Sequence, residues 1–302
     1  MKLPEVNATA TADLVVVGLA YFEVFVPPHA SPAPGEEVFV DGITLALGGA
    51  LNTASVAAAL GLRVTLCLPM GGGIVDQAVS LLAQRLGITL APLPARDNPA
   101  ISLVFSDAQD RAFVSSAQLD ALDRVQQLPA SAWVHVPGLE EAARLTAPLA
   151  QARQRGARTS VSASWSPLQL AQLAQHQDCA WDLLVLNEKE AQAACGQATD
   201  APARLAGAAH SVLVTLGDQG VTGVLNAMPV HVPAAPTQVL DTTGAGDAFC
   251  AAVIAALVRG NSPQAAVQLG SLAAARILTQ TGGLVTDPAL MAGLTQESLC
   301  KP

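Results

Sequence analysis

The distribution of apolar residues restricts this chain to a narrow range of folds. Short, nearly continuous apolar runs recur along it: Leu14–Val17 closing on Gly18, Val64–Leu68, Trp133–Val136, Thr159–Val161, Leu183–Leu186 and Val212–Thr215. Continuous runs, rather than alternating ones, are what strands buried on both faces require, as in a parallel sheet. Between them lie stretches of helical character at 51–60, 75–86, 139–155, 188–194 and 201–209. Strand and helix in alternation imply an α/β fold, a parallel-rich central sheet with helices on both faces.

Two segments depart from the alternation. Val38–Leu47 and Ala100–Ser115 read as extended chain, the second as a hairpin with a polar turn at Asp107–Arg111. A length of 302 residues allows one large core. The expectation is therefore a single domain over 1–302, with segments at approximately 35–47 and 100–115 forming a small separate sheet. The Pro-rich stretch Pro27–Pro34 reads as a loop leading into it.

Composition removes several classes of function. A formal charge of -9 with only 15 Lys plus Arg offers no basic face for nucleic acid. No apolar run reaches the roughly 18 to 20 residues of a membrane span. Met1–Ala12 carries Glu5 and no apolar centre, so it does not read as a secretory signal, and a cytoplasmic location is expected. The five cysteines, Cys67, Cys179, Cys195, Cys250 and Cys300, lack CxxC pairs and read as inert, mostly buried thiols rather than a zinc site or disulfide framework.

The chemistry concentrates in Asp241-Thr-Thr-Gly-Ala-Gly-Asp-Ala-Phe249. Val230–Pro233 and Gln238–Leu240 before it favour extended chain; Ala248–Val258 after it is almost wholly apolar and helical. Gly244 and Gly246 let the backbone turn so that successive N–H groups converge on an anion at a helix start. A carboxylate beside such a cradle repels phosphate unless it has other work, and Asp247 is placed to accept a proton from an attacking hydroxyl. The plainer alternative is a glycine-rich turn whose aspartate caps the helix.

The nine-residue string resembles the C-terminal signature of the ribokinase-like, or PfkB-type, carbohydrate kinases. The resemblance implies an ATP-dependent transfer of the γ-phosphoryl group to a hydroxyl of a sugar or sugar acid, with Mg²⁺ and in some members a monovalent cation. A nucleoside acceptor, or a sensing protein of the same fold that has lost catalysis, are the alternatives. By the resemblance Asp247 is the base, the amides of Gly244, Ala245 and Gly246 form the anion hole, and Asp241 and Thr242 lie by the triphosphate. The extended segments become a lid over the substrate, through which two copies could pair as a homodimer.

Further elements resemble the family in order along the chain. Gly48, Gly49 and Asn52 match its substrate-contacting Gly-Gly-x-x-Asn element, although Ala50 stands where many members carry lysine, and a tight turn with Asn52 near a helix cap explains the same residues. Glu23 occupies the place of an aspartate that holds substrate hydroxyls, one methylene longer, and reads equally as a solvated residue at a strand end. Asn187 and Glu190 match an Asn-x-x-Glu element that organises the metal through water, and also fit a helix capping box. Thr215, Gly217 and Gly220 match a turn along the nucleotide phosphates, and a helix at 271–280 ending in Thr281-Gly282-Gly283 lies where the family encloses adenine. The family's Asp-x-Asn-x-Arg pattern is replaced by Ser162-Ala-Ser-Trp165-Ser-Pro167, and neither G-x-G-x-x-G after the first strand nor a Walker sequence is present.

Overall fold

The computed structural model describes residues 11–27, 33–95, 98–106 and 111–294. β1 (Ala12–Val17) is the apolar run closing on Gly18, and β2 (Ala20–Val26) follows at once. β3 (Thr44–Gly49) runs directly into α1 (Ala50–Ala59); β4 (Val64–Met70), α2 (Ile74–Leu86), β5 (Thr89–Pro94), β6 (Ala100–Ser106) and β7 (Arg111–Ser116) come next. Then follow β8 (Ser131–Val136), α3 (Leu139–Arg144), α4 (Thr146–Gln154), β9 (Arg158–Ser162), α5 (Pro167–Leu173), β10 (Leu183–Asn187) and α6 (Glu188–Cys195). The chain closes with α7 (Ala201–Arg204), β11 (Val212–Thr215), β12 (Val221–Leu225), β13 (Met228–Val232), α8 (Ala245–Val258) and α9 (Pro263–Ile277).

Nine strands form the large sheet in the order β13-β12-β11-β10-β9-β8-β1-β4-β5. All neighbours from β11 to β5 are parallel, and β12 and β13 add an antiparallel edge. The consequence of burial on both faces is visible within β1. Leu14 and Val16 join the core beneath α1, α8 and α9, while Val15 and Val17 join the core beneath α3 to α7. An all-round apolar helix belongs in the interior, and Ala248–Ala256 of α8 are buried without exception. Gly270 of α9 lets the two helices close, because a side chain there would meet the Phe249 ring.

The small sheet, ordered β3-β2-β6-β7, stands apart. It differs from expectation in its first half: strand begins only at Thr44, and 33–43 contain no strand. Its inner strand β2 was not expected as one, since Tyr21, Phe22 and Glu23 break any simple alternation. Other boundaries also moved. The expected helix 139–155 divides into α3 and α4, with Pro148 confined to the first turn of α4, where its missing N–H costs nothing. Gln238–Leu240 is irregular rather than extended, 201–209 is helical only to Arg204, and the helix expected at 271–280 runs from Pro263 to Ile277. The turn at Asp107–Asp110, most of the Pro27–Pro34 loop, Met1–Ala10 and Cys300 lie outside the described residues.

No described helix is long and apolar enough to cross a membrane. Cys67, Cys195 and Cys250 are buried free thiols, and Cys179 is half-buried. Burial pushes the Cys67 thiol up to about 12.

Candidate active site

Gly18, Pro137, Ser162, Asn187 and Thr215 end or follow β1, β8, β9, β10 and β11, so they gather at the carboxyl edge of the parallel sheet. That edge is where open α/β sheets expose strand ends and helix starts to ligands. Three adjoining cavities occupy it. The first, of about 260 Å³, is lined by Tyr21, Gly49, Glu140, Glu141, Trp165 and Asp247 among others. The second, of about 150 Å³, includes Ser162, Asn187, Glu190, Gly244, Gly246 and Asp247. The third, of about 520 Å³, runs from Thr215, Gly217, Gly220, Thr242, Ala245 and Gly246 to Pro236, Val239, Ala275 and Leu278. Asp247 joins the first to the second, and Thr215 and Gly246 join the second to the third.

Asp247 is the third residue of α8, and its half-buried carboxylate is gripped from α1. Asn52 Nδ2 donates to Oδ2 at 3.0 Å and Thr53 Oγ1 donates to Oδ1 at 3.3 Å. Burial raises the carboxyl pKa to about 6, and the two hydrogen bonds offset only part of that rise. A carboxylate with a pKa near neutrality, fixed at both oxygens, is suited to accept a proton. Thr53 was not singled out in the sequence; its adjacency to Asn52 on a helix start was the available signal.

Gly244 caps α8 in the left-handed region, φ 76°, and its α-carbon packs on Gly283, leaving no room for a side chain on either residue. Asp241 closes this turn: Oδ1 accepts from the Thr243 amide and Oδ2 from the Gly282 amide, both at 2.8 Å. Asp241 therefore builds the turn and is not among the residues lining the three cavities. Gly283 also faces Asn52, which brings the C-terminal glycine pair against the carboxylate grip, a juxtaposition that sequence order hides.

Glu23 and Gly48 lie beside the first cavity without lining it. Glu23 is buried within β2, not solvated at a strand end, and its carboxyl covers Gly48 so closely that a side chain at 48 would collide with it. Glu140, Glu141 and Tyr21, none of them picked out in the sequence, line the cavity instead, together with Trp165, the aromatic residue of the Ser162–Pro167 stretch that a nucleoside acceptor would call for. Trp165 remains 64% exposed there. Both ring-bearing residues and the acidic pair come from unrelated segments, so no local motif announces them.

Asn187 and Glu190 form a complete capping box on α6: Asn187 Oδ1 accepts from the Glu190 amide and Glu190 Oε2 accepts from the Asn187 amide, both at 2.9 Å. Burial pushes the Glu190 carboxyl up, partly countered by the Asn187 amide. The helix-capping alternative is thus realised, yet both side chains also line the second cavity. Among the described residues no three His, Cys, Asp or Glu side chains converge to cage a metal ion. An ion that keeps most of its waters and shares them with phosphate needs no such cage.

The sequence matches the model of the pfkB family carbohydrate kinases over residues 11–289. The bifunctional protein HldE of Caulobacter vibrioides is 31% identical over 96% of this chain, which spans 64% of that relative's length. Two solved structures superpose across almost the whole chain. The ribokinase of Arabidopsis thaliana, complexed with ribose and ATP, has a TM-score of 0.74 at 19% identity, covering 94% of this chain and 99% of its own. The adenosine kinase of Sinorhizobium meliloti has a TM-score of 0.77 at 20% identity, covering 95% and 100%. At those identities the likeness is one of fold.

Proposed function

The chain belongs to the pfkB family of carbohydrate kinases, and we propose that it transfers the γ-phosphoryl group of ATP to a hydroxyl of a sugar or sugar acid, with Asp247 as the base. One observation carries the reading: a carboxyl with pKa near 6, held by Asn52 and Thr53, stands where the first cavity meets the helix start at Gly244–Gly246. The acceptor occupies the first cavity, next to Gly49, with Glu23 and Gly48 beside it in the small sheet. The purine lies among Pro236, Val239, Ala275 and Leu278, and the phosphates extend along Thr215, Gly217, Gly220 and Thr242 toward α8. Asp247 draws the proton from the attacking hydroxyl. The first-turn amides of α8, which have no intrahelical acceptor, face the negative charge that spreads over the phosphoryl oxygens.

Mg²⁺, when bound with ATP, would neutralise phosphate charge, and the chemistry of Asn187 and Glu190 fits holding its waters from the second cavity. Asp241 contributes by keeping the Gly244 turn closed. A nucleoside acceptor is the second reading, favoured by exposed Trp165 and half-buried Tyr21, whose rings line the cavity where a base could stack. The test is ADP release from Mg-ATP against sugars, sugar acids and nucleosides, with Asp247→Asn alongside. Stimulation by one class that the variant loses supports the kinase and names the acceptor. ATP binding without stimulation by any acceptor would favour a sensing protein.

The small sheet also supports a homodimer. Leu45, Val24, Leu103 and Val114 stand in register across all four strands, and Leu45, Leu103 and Val114 are exposed. An apolar row of this kind is suited to a second copy. Sedimentation should show a dimer that Leu103→Lys dissociates; a monomeric unaltered protein would remove the idea.

A further inference from the structure

The serine stretch that replaces the family's Asp-x-Asn-x-Arg pattern acquires a meaning from a buried polar ladder beneath α8. His135 of β8 lies opposite Ser160 of β9, and Ser162 lies two residues further along the same face. His135 is wholly buried; Ser160 and Trp133 nearly so. Trp133 Nε1 donates to Ser160 Oγ at 2.8 Å, His135 Nδ1 is 2.9 Å from the same oxygen, and His135 Nε2 is 3.5 Å from Ser162 Oγ. Ser162 and Cys250 both line the second cavity with Gly244, Gly246 and Asp247, and the Ser162 side chain partly counters the upward push of burial on the Cys250 thiol.

Donor chemistry fixes the first rung of the ladder. An indole N–H can only donate, so Ser160 Oγ accepts from Trp133. Burial drives His135 down to about 3, so its ring is neutral, with one donor and one acceptor nitrogen. When the Ser160 hydroxyl satisfies Nδ1, the proton rests on Nε2, which donates to Ser162 Oγ. The Ser162 hydrogen is then left to point toward Cys250 and the cavity.

We propose that Trp133, Ser160 and His135 form a one-way hydrogen-bond relay that presents the Ser162 hydroxyl as an oriented donor to the terminal phosphoryl oxygens of bound nucleotide. Ser162 is then a phosphate-binding residue, and His135 is a positioning residue that never touches the ligand. The inference rests on the kinase reading, which brings the terminal phosphate to the first turn of α8, where Gly244 and Gly246 line the second cavity. A neutral donor here adds to the helix amides without introducing charge beside Asp247.

The test is calorimetric titration with Mg-ATP and Mg-ADP of the unaltered protein, Ser162→Ala, Ser162→Thr, His135→Phe and the Ser162→Ala/His135→Phe double variant. Ser162→Ala should weaken ATP about tenfold, the scale of one hydrogen bond to a charged group, and leave ADP within about twofold, while Ser162→Thr retains ATP affinity. His135→Phe should reproduce the loss of ATP-over-ADP preference, and the double variant should be no worse than the single ones. Equal losses for ATP and ADP, or additive effects, overturn the relay and leave the kinase reading standing. Should His135→Phe fail to fold, the Ser162→Ala and Ser162→Thr pair decides alone. Failure of the unaltered protein to bind ATP would instead remove the kinase reading and the relay with it.

Discussion

Two helices meet at the centre of the site, α1 and α8, and their first turns are built alike. Each is capped by a glycine with positive φ, 67° at Gly49 and 76° at Gly244, and neither has a side-chain cap. Each carries a polar residue at its third position, Asn52 and Asp247, and those two hydrogen-bond one another. The difference lies in what surrounds the amides. In α1 the first amide donates to Leu19 O at 2.8 Å and residues 50–57 are buried; in α8 the Ala245 amide reaches Thr242 O only at 3.5 Å, and Gly246 is exposed to two cavities. One turn is sealed and serves as scaffold, while the other keeps its donors and its carboxylate available. The same local sequence grammar gives a covered support or an open, polar end, depending on whether the rest of the fold covers it.

The largest effect that should separate the two turns comes from their polar residues. Asp247→Asn is expected to lower kcat by about 10²-fold or more, the scale of a general base, whereas Asn52→Ala, which only loosens the grip, should cost about tenfold. Equal losses in steady-state turnover would erase the distinction. The glycines provide the next contrast. Gly49→Ala would drive a methyl into Leu19 O and the Tyr21 ring from a left-handed φ, destabilising the fold by about 2 kcal/mol or more. Gly246→Ala meets nothing within 4 Å and should fold as well or better, since alanine favours helix over glycine by about 0.5–1 kcal/mol, yet turn over several-fold more slowly because the methyl enters the cavities. Thermal denaturation beside turnover distinguishes the two.

The pH dependence sharpens the account of α8. Turnover should rise as pH passes about 6 and level off above it, because the base acts only when ionised; a profile with no limb in that range would detach Asp247 from the reaction. The smallest effect is on stability. Because the folded-state pKa of Asp247 is raised, from 3.8 to about 6, its stabilisation is full below about pH 3.8 and lost as pH rises through about 6. Near pH 7 Asp247→Asn should therefore be more stable than the unaltered protein by about 1–2 kcal/mol, allowing for partial exposure, and this gain should vanish near pH 4. An ionised carboxylate at this position is thus kept at the expense of stability.

Local regularities made the large sheet legible. Six apolar runs became β1, β4, β8, β9, β10 and β11, since burial on both faces leaves a continuous signature. β12 and the small-sheet strand β2 were less visible, because β12 mixes threonine and glycine and β2 carries a buried glutamate and is held by pairing with the distant β6, whereas part of β13 shows in the sequence as the extended chain at 230–233. The helix divided at Leu145 also needed its packing to reveal the break.

By itself the sequence determined the α/β alternation, the glycine turn before α8 and the carboxylate beside it, because each is a property of a few consecutive residues. Only the tertiary structure decided that Thr53 completes the grip on Asp247, that Gly283 packs on Gly244 and that Asp241 ties the two turns together. It also decided that Glu140, Glu141 and Trp165 line the first cavity and that Ser162 rests on buried His135. Those contacts join segments as much as 230 residues apart, as in the Val285 amide bonded to Ser55 Oγ. Spacing along a chain carries no record of them; they exist only once burial of the two cores has brought the strand ends and helix starts to one edge.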